Sequence, residues 1–162
     1  MRYPYPHIRW QRENGSVAVE AALSISLILV PILTFMLLFG RYFWYYTAAQ
    51  KAVHDATLSI STLPIADIRS GRAENFAARI IEWETSDLDA MTLSNAGPTV
   101  DCWFKFPATA TTLSRFNCNT SFATPVVVRT SLTMAVHDPF LSPLIGGDMP
   151  IVTEMTMRYV ER

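Results

Sequence analysis

The sequence predicts an α+β membrane protein, in which a long N-terminal transmembrane helix continues beyond the membrane and packs on a small antiparallel sheet. Residues 21–39 contain no charged side chain and no Asn, Gln or His. Residues 41–61 repeat small and apolar side chains at helical spacing. Three later segments alternate apolar and polar residues, as strands do. The chain has 162 residues, half of them hydrophobic, which suggests one modest domain in addition to the membrane segment.

The uncharged segment is long enough to cross a bilayer. At about 1.5 Å rise per residue, a helix of this length spans roughly 28 Å, close to the thickness of the hydrocarbon core. Its only polar side chains are hydroxyls that can bond back to helix carbonyls, on Ser24, Ser26 and Thr34. Pro31 removes the helix hydrogen bond to the carbonyl of Leu27 and predicts a kink or local softening.

Charged and aromatic residues predict the orientation. Arg2, Arg9 and Arg12 precede the segment, whereas Arg41 is the one early basic residue after it. The positive-inside rule therefore places the N-terminus in the cytoplasm and residues 41–162 across the membrane. Five aromatic residues follow the segment directly and suit the far membrane interface, namely Tyr42, Phe43, Trp44, Tyr45 and Tyr46.

Two further helical stretches are predicted. The first continues the membrane helix to about residue 61, before Pro64, and carries a narrow stripe of Tyr45, Ala49, Ala52, Ala56 and Ile60. The alanines indicate either close helix packing or plain helix propensity. The second covers residues 72–84, with an apolar face of Ala73, Phe76, Ala77, Ile80 and Trp83.

A loop over residues 85–99 separates these helices from three predicted strands. The apolar positions of the strands are Val100, Cys102, Phe104 and Phe106 in the first, Val126, Val128, Leu132, Met134 and Val136 in the second, and Ile151, Met155, Met157 and Tyr159 in the third. The last two strands are expected to form an antiparallel pair, joined by a long connection over residues 137–150 that is rich in Pro and Gly.

Nothing in the sequence points to catalysis or to a cofactor. None of the nucleophile-elbow, zinc-protease, phosphate-loop and dinucleotide-binding motifs occurs. His54-Asp55 and His137-Asp138 are adjacent in sequence, which does not create an acid–base dyad. Five aspartates match no calcium loop and are expected to be solvated, namely Asp67, Asp87, Asp89, Asp101 and Asp148. The net charge of −1 gives no electrostatic basis for binding nucleic acid.

Two cysteines, Cys102 and Cys118, lie on the non-cytoplasmic side of the predicted topology, where disulfides persist. A disulfide between them would fix the 107–117 loop to the sheet, a constraint worth about 3 kcal/mol in the chain-entropy model. The alternative is a pair of buried free thiols. Metal binding is less favoured because no further ligand lies at suitable spacing.

The most specific stretch of the sequence is the junction at the start of the membrane segment. Gly15 ends a basic leader, and Glu20 is a lone carboxylate in an otherwise apolar helix. Such a carboxylate is costly in a membrane unless it is paired. Cleavage after Gly15 would give Ser16 a new ammonium group, and Ser16 and Glu20 lie one helical turn apart.

These residues resemble the type IV prepilins, and more narrowly the TadE-like minor pseudopilins of the tight-adherence (Tad/Flp) pilus system. The resemblance is carried by Gly15, the run AVEAALSISLILVPIL over 18–33, and FGRYFWYYTAAQKAVHDA over 39–56. The sequence departs from the family at Ala21, where many members have an aromatic residue.

The resemblance implies a non-enzymatic pseudopilin that takes part in pilus assembly and adhesion. A prepilin peptidase would cut between Gly15 and Ser16, and Glu20 would serve assembly. The implied partners are other pilins or pseudopilins, an inner-membrane platform and the lipid bilayer. The expected organisation is a cytoplasmic leader over 1–15, a transmembrane helix over 16–40 in the bacterial inner membrane, and a periplasmic α+β domain over 41–162, with incorporation into a pilus as a further implication.

Four alternatives remain at this point. An ordinary secretory signal is disfavoured because its apolar core is shorter, ~7–15 residues, and small residues follow it. A second alternative is an uncleaved membrane anchor in which Gly15 and Glu20 occur at these positions by chance. The chain can be an unprocessed single-pass scaffold or binding subunit of the same machinery. An anchored exported enzyme is disfavoured by the motif search.

Overall fold

The computed structural model describes residues 14–88, 91–93, 97–105, 111–119 and 124–160. Within them, the helices are α1 (Asn14–Ser61), α2 (Ile65–Arg69), α3 (Arg72–Thr85) and α4 (Leu141–Ile145). The strands are β1 (Met91–Leu93), β2 (Thr99–Phe104), β3 (Ser114–Asn117), β4 (Val127–Val136) and β5 (Met149–Arg158). The predicted α+β class, with a long apolar N-terminal helix and an antiparallel sheet, is confirmed.

The chain divides into two compact units, Met1–Gly40 and Arg41–Arg162. In the first unit, α1 continues through Pro31, and the side chains of residues 15–37 are exposed. The second unit contains the sheet, α2 to α4 and the second half of α1.

Strand β4 is the centre of the sheet. It pairs with β5 along its whole length, from Val127↔Arg158 to Val136↔Met149, which confirms the expected antiparallel pair. Its other edge pairs first with β2 and then with β1, and β3 pairs with the outer edge of β2. The expected alternation is also present, since Val100, Cys102 and Phe104 of β2 are buried.

The second half of α1 shares one hydrophobic core with the sheet. Tyr45, Ala49, Ala52, Ala56 and Ile60 are all buried in it, as the stripe predicted. Because the alanines have no exposed surface, close packing explains them better than helix propensity alone.

The predicted face of α3 was partly wrong. Ala73, Ala77, Ile81 and Thr85 are buried, whereas Trp83 is 80% exposed and Phe76 is 40% exposed. A stripe spaced by four residues, with two alanines in it, lets this helix approach the core more closely than a face with aromatic side chains would. The Thr85 hydroxyl donates to the carbonyl of Ile81 at 2.7 Å, so burial leaves its polar group satisfied.

Three segments predicted as loops contain short regular elements. The 85–99 loop contains β1, the 107–117 loop contains β3, and the 137–150 connection contains α4. Strands of three and four residues are too short to show a period, and they form because a neighbouring strand supplies hydrogen-bond partners. Phe106 and Asp89, and the leader arginines, lie outside the described residues.

Cys102 and Cys118 are joined in a disulfide and both are buried. Cys102 lies on β2, and Cys118 follows the last residue of β3. The bridge therefore ties the short outer strand to its neighbour instead of fixing a loop. Three of the four β3 residues are exposed, so burial of β3 itself contributes little to holding this strand in place.

Both ends of the packed part of α1 are fixed to opposite ends of the β4–β5 pair. Where this part begins, the Arg41 guanidinium meets the Asp138 carboxylate at 2.6 Å, just beyond the end of β4. Where α1 ends, the amide of Val160 donates to the carbonyl of Ser61 at 3.0 Å, and the Tyr159 hydroxyl donates to the carbonyl of Leu63 at 2.9 Å. We call these the Asp138 end and the Tyr159 end of the domain.

Asp138 is fully buried and bonds to several groups. It accepts hydrogen bonds from the Tyr45 hydroxyl at 3.3 Å and from the amide of Phe140 at 2.8 Å. Tyr45 is thus part of the core and not an interfacial side chain as predicted, whereas Phe43 and Trp44 are exposed. A side-chain hydrogen bond between Arg41 and Tyr45, together with the negative charge of Asp138, raises the pKa of Arg41, and the guanidinium stays cationic.

We expect the Arg41–Asp138 pair to stabilise the domain through coupling of the two residues. Asp138→Asn and Arg41→Gln should each lower the thermal midpoint by several degrees, and the double variant by less than their sum, because each single change leaves the other group without its charged partner. Circular dichroism of the full chain in detergent measures this. Asp67→Asn, which breaks an exposed pair with Arg72, is the control and should change the midpoint little; equal effects at Asp67 and Asp138 would contradict the expectation.

Removing the disulfide should destabilise the domain by about 3 kcal/mol and release β3 first. In a Cys102→Ala/Cys118→Ala variant, amide protection in hydrogen exchange should be lost at residues 115–117 before the β4–β5 pair loses it, because β2 is the one described strand with which β3 pairs. Reductant should lower the unfolding midpoint of the native chain and leave that of the variant unchanged. A native chain that does not respond to reductant would refute the structural role of the bridge.

Candidate processing and assembly site

Gly15 and Ser16 lie in the first turn of α1, which begins at Asn14. The first four amide groups of a helix have no partner within it, so this turn opens at little cost. A Cβ atom built on Gly15 would meet nothing within 4 Å. Folding of the described residues therefore does not require glycine at position 15, and any requirement for it must come from another molecule.

Glu20 lies one turn after Ser16 on the same side of α1, and both residues are exposed. None of the residues that the structure describes forms a hydrogen bond or an ion pair with the Glu20 carboxylate. The next residues are all uncharged up to Gly40. The carboxylate is thus the one formal charge on the helix between residues 15 and 40.

The helix that carries these residues is long and apolar enough to cross a membrane. In the part of the chain that the structure describes, it is the single helix with this property, with a mean hydropathy of 2.5 over its most apolar 18 residues and none of that window buried. The Thr34 hydroxyl donates to the carbonyl of Val30 at 2.8 Å, so this polar side chain is satisfied within the helix as expected. Together these properties indicate a membrane anchor.

The described histidines and aspartates singled out in the sequence form separate ion pairs and do not come together in one cluster. His137 lies 2.7 Å from Asp148 and not beside Asp138, and His54 lies 3.1 Å from Asp55. Asp67 and Asp101 pair with arginines. Among the described residues, no three His, Cys, Asp or Glu side chains are grouped so that they could hold a metal ion.

Sequence reasoning missed the interaction network around Asp138. Tyr45 and Asp138 are 93 positions apart, and no local pattern connects them. In the sequence, Asp138 simply follows His137, and Arg41 simply follows the apolar segment. The Arg41–Asp138 pair forms because the second half of α1 packs along the sheet.

A family model described as TadE-like protein matches residues 15–58. Searches of curated proteins and of solved structures find no match. The match begins at Gly15, includes Glu20 and ends within α1, so it covers the stretch on which the sequence resemblance was based. The resemblance is thereby confirmed: this chain carries a TadE-like segment over residues 15–58.

Proposed function

We propose that the protein is a membrane-anchored minor pseudopilin that takes part in assembly of a Tad/Flp-type pilus after cleavage by a prepilin peptidase. The observation that carries the proposal is the TadE-like match that starts at Gly15 and contains Glu20 on an exposed apolar helix. Its partners are the prepilin peptidase, other pilins or pseudopilins, the inner-membrane platform and the lipid bilayer.

The proposed topology has residues 1–15 in the cytoplasm, 16–40 in the inner membrane and 41–162 in the periplasm. The excess of arginine before the apolar segment supports this orientation. The Cys102–Cys118 disulfide supports it independently, because disulfides persist in the periplasm and are rare in the cytoplasm.

Cleavage between Gly15 and Ser16 requires an extended, accessible peptide bond. The first turn of α1 can open to an extended conformation at little cost, since its amide groups have no partners within the helix. No described residue lies within 4 Å of a Cβ atom built on Gly15, so a larger side chain there would obstruct the enzyme and not the fold of the described residues.

Glu20 supports assembly in this proposal. Between residues 15 and 37 the apolar surface of α1 is exposed, so it must be covered by lipid or by neighbouring helices. A carboxylate in that environment needs a counter-charge. The new ammonium of Ser16 lies one turn away in the same chain, or is supplied by a neighbouring subunit. Pairing then favours one stacking register of the helices, because any other register leaves the carboxylate unpaired.

We expect Gly15→Leu to block processing and to leave full-length protein in the membrane. The matched control is Gly40→Leu on the same helix, where an added side chain also meets nothing within 4 Å. Mass spectrometry of the mature N-terminus, with and without the peptidase, distinguishes them: the native chain and Gly40→Leu should begin at Ser16.

Normal processing of Gly15→Leu would overturn the proposed cleavage site. A native chain that keeps residues 1–15 in the presence of the peptidase would instead favour the second candidate, an unprocessed scaffold or binding subunit of the same machinery.

We expect Glu20→Gln and Glu20→Leu to be cleaved, inserted and folded, but to lose crosslinks to pilin partners and to reduce piliation. The distal domain has its own core and should keep its unfolding midpoint in both variants. Ser24→Leu, one turn further along the same helix, is the control and should assemble normally. If both Glu20 variants crosslink and assemble like the native chain, Glu20 merely reaches water at the interface, and its assembly role is refuted.

A further inference from the structure

We propose that the exposed apolar residues at the Asp138 end of the domain form a second membrane contact, in addition to the transmembrane helix, by lying on the lipid surface. The residues are Phe43 and Trp44 of α1 and Phe140, Leu144 and Ile145 of the β4–β5 connection. The inference rests on the proposed membrane span over residues 16–40.

All five side chains are between 58% and 68% exposed. A single exposed apolar residue needs no explanation, but several at one end of a small domain mark an interaction surface. Three of them lie within six consecutive residues of the connection that the sequence predicted to be rich in Pro and Gly.

The course of α1 determines which end of the domain is next to the membrane. Its packed part begins at Arg41, which bonds to Asp138, and finishes at Ser61 near Val160. Arg41 directly follows Gly40 in the chain. Of the two ends of the sheet, the Asp138 end is therefore the one connected to the span without intervening residues, and it must lie near the bilayer surface.

The connection is held firmly at that end. The amide of Ser142 donates to the carbonyl of Asp138 at 2.9 Å, and the amide of Asp138 donates to the Ser142 hydroxyl at 3.1 Å. The Arg41 guanidinium also lies over the Phe140 ring, 5.5 Å from its centre. The contact with Arg41 fixes Phe140 next to the start of the packed helix, and the bonds between Asp138 and Ser142 hold the connection in a compact turn after it.

Size and chemistry both fit the interfacial layer of a bilayer. This layer is roughly 5–7 Å deep on each side, and a five-residue helix such as α4 is about 7 Å long. Trp, Phe and Leu are side chains that insert at this depth, while an arginine beside them can face lipid phosphates. Arg41 is about half exposed, so its guanidinium reaches solvent as well as Asp138.

The test uses the full chain in vesicles of phosphatidylethanolamine and phosphatidylglycerol. Because both native cysteines are joined in the disulfide, a single new cysteine carries the fluorophore. Leu144→Cys reports on the proposed contact, Val160→Cys is the matched exposed site at the Tyr159 end, and Leu27→Cys reports on the span. Lipids with a nitroxide near the headgroup should quench the label at Leu144 several-fold more than the label at Val160, and lipids with a nitroxide deep in the acyl chain should quench the label at Leu27.

The outcomes separate the inference from the proposed anchor. Quenching at Leu27 together with equal, weak quenching at Leu144 and Val160 overturns the second contact and leaves the anchor standing. No quenching at Leu27 overturns the anchor and the inference together. A Leu144 label shielded from both lipid nitroxide and aqueous iodide is covered by protein, either a second copy or another subunit, and this result also overturns the lipid contact.

Discussion

The burial of small side chains on the second half of α1 is the constraint on which the rest of residues 41–162 depends. Ala49, Ala52 and Ala56 have no exposed surface, so the helix backbone lies close to its neighbours. The strands supply the larger side chains that fill the same core, such as Phe104 and Leu132. The alanines let the helix backbone approach the sheet closely, and larger side chains from the strands and from Ile60 of α1 fill the same core.

The same helix meets two different environments, and Arg41 marks the change between them. Before it, apolar side chains are exposed around the whole helix and need a lipid or protein cover. After it, the buried stripe faces the core and polar side chains such as Gln50 and Lys51 face outwards. Asp138 compensates the charge of Arg41 at this point, and the cost of burying its carboxylate is offset by hydrogen bonds as well as by the ion pair.

The edges of the sheet are stabilised by different means. Strand β5 pairs with the central strand along ten residue pairs, whereas β3 has four polar or exposed residues and a neighbour on one side. A disulfide compensates for the weak burial of β3. This division agrees with a compartment in which covalent bridges form, and it gives the outer strand a stability that does not depend on an apolar face.

The sequence by itself determined the features that repeat locally. The membrane segment, the alanine stripe and the alternation in β2, β4 and β5 all follow from periods that a few residues suffice to define. The Gly15, Ser16 and Glu20 spacing and the TadE-like resemblance likewise needed no structure, because they depend on adjacent positions along one helix. Only the tertiary structure decided which residues of α3 are buried, that β1 and β3 are strands, and that Asp138 pairs with Arg41 and not with His137. These features depend on partners distant in the chain, and neither a three-residue strand nor a lone aspartate carries enough local information to identify its partner.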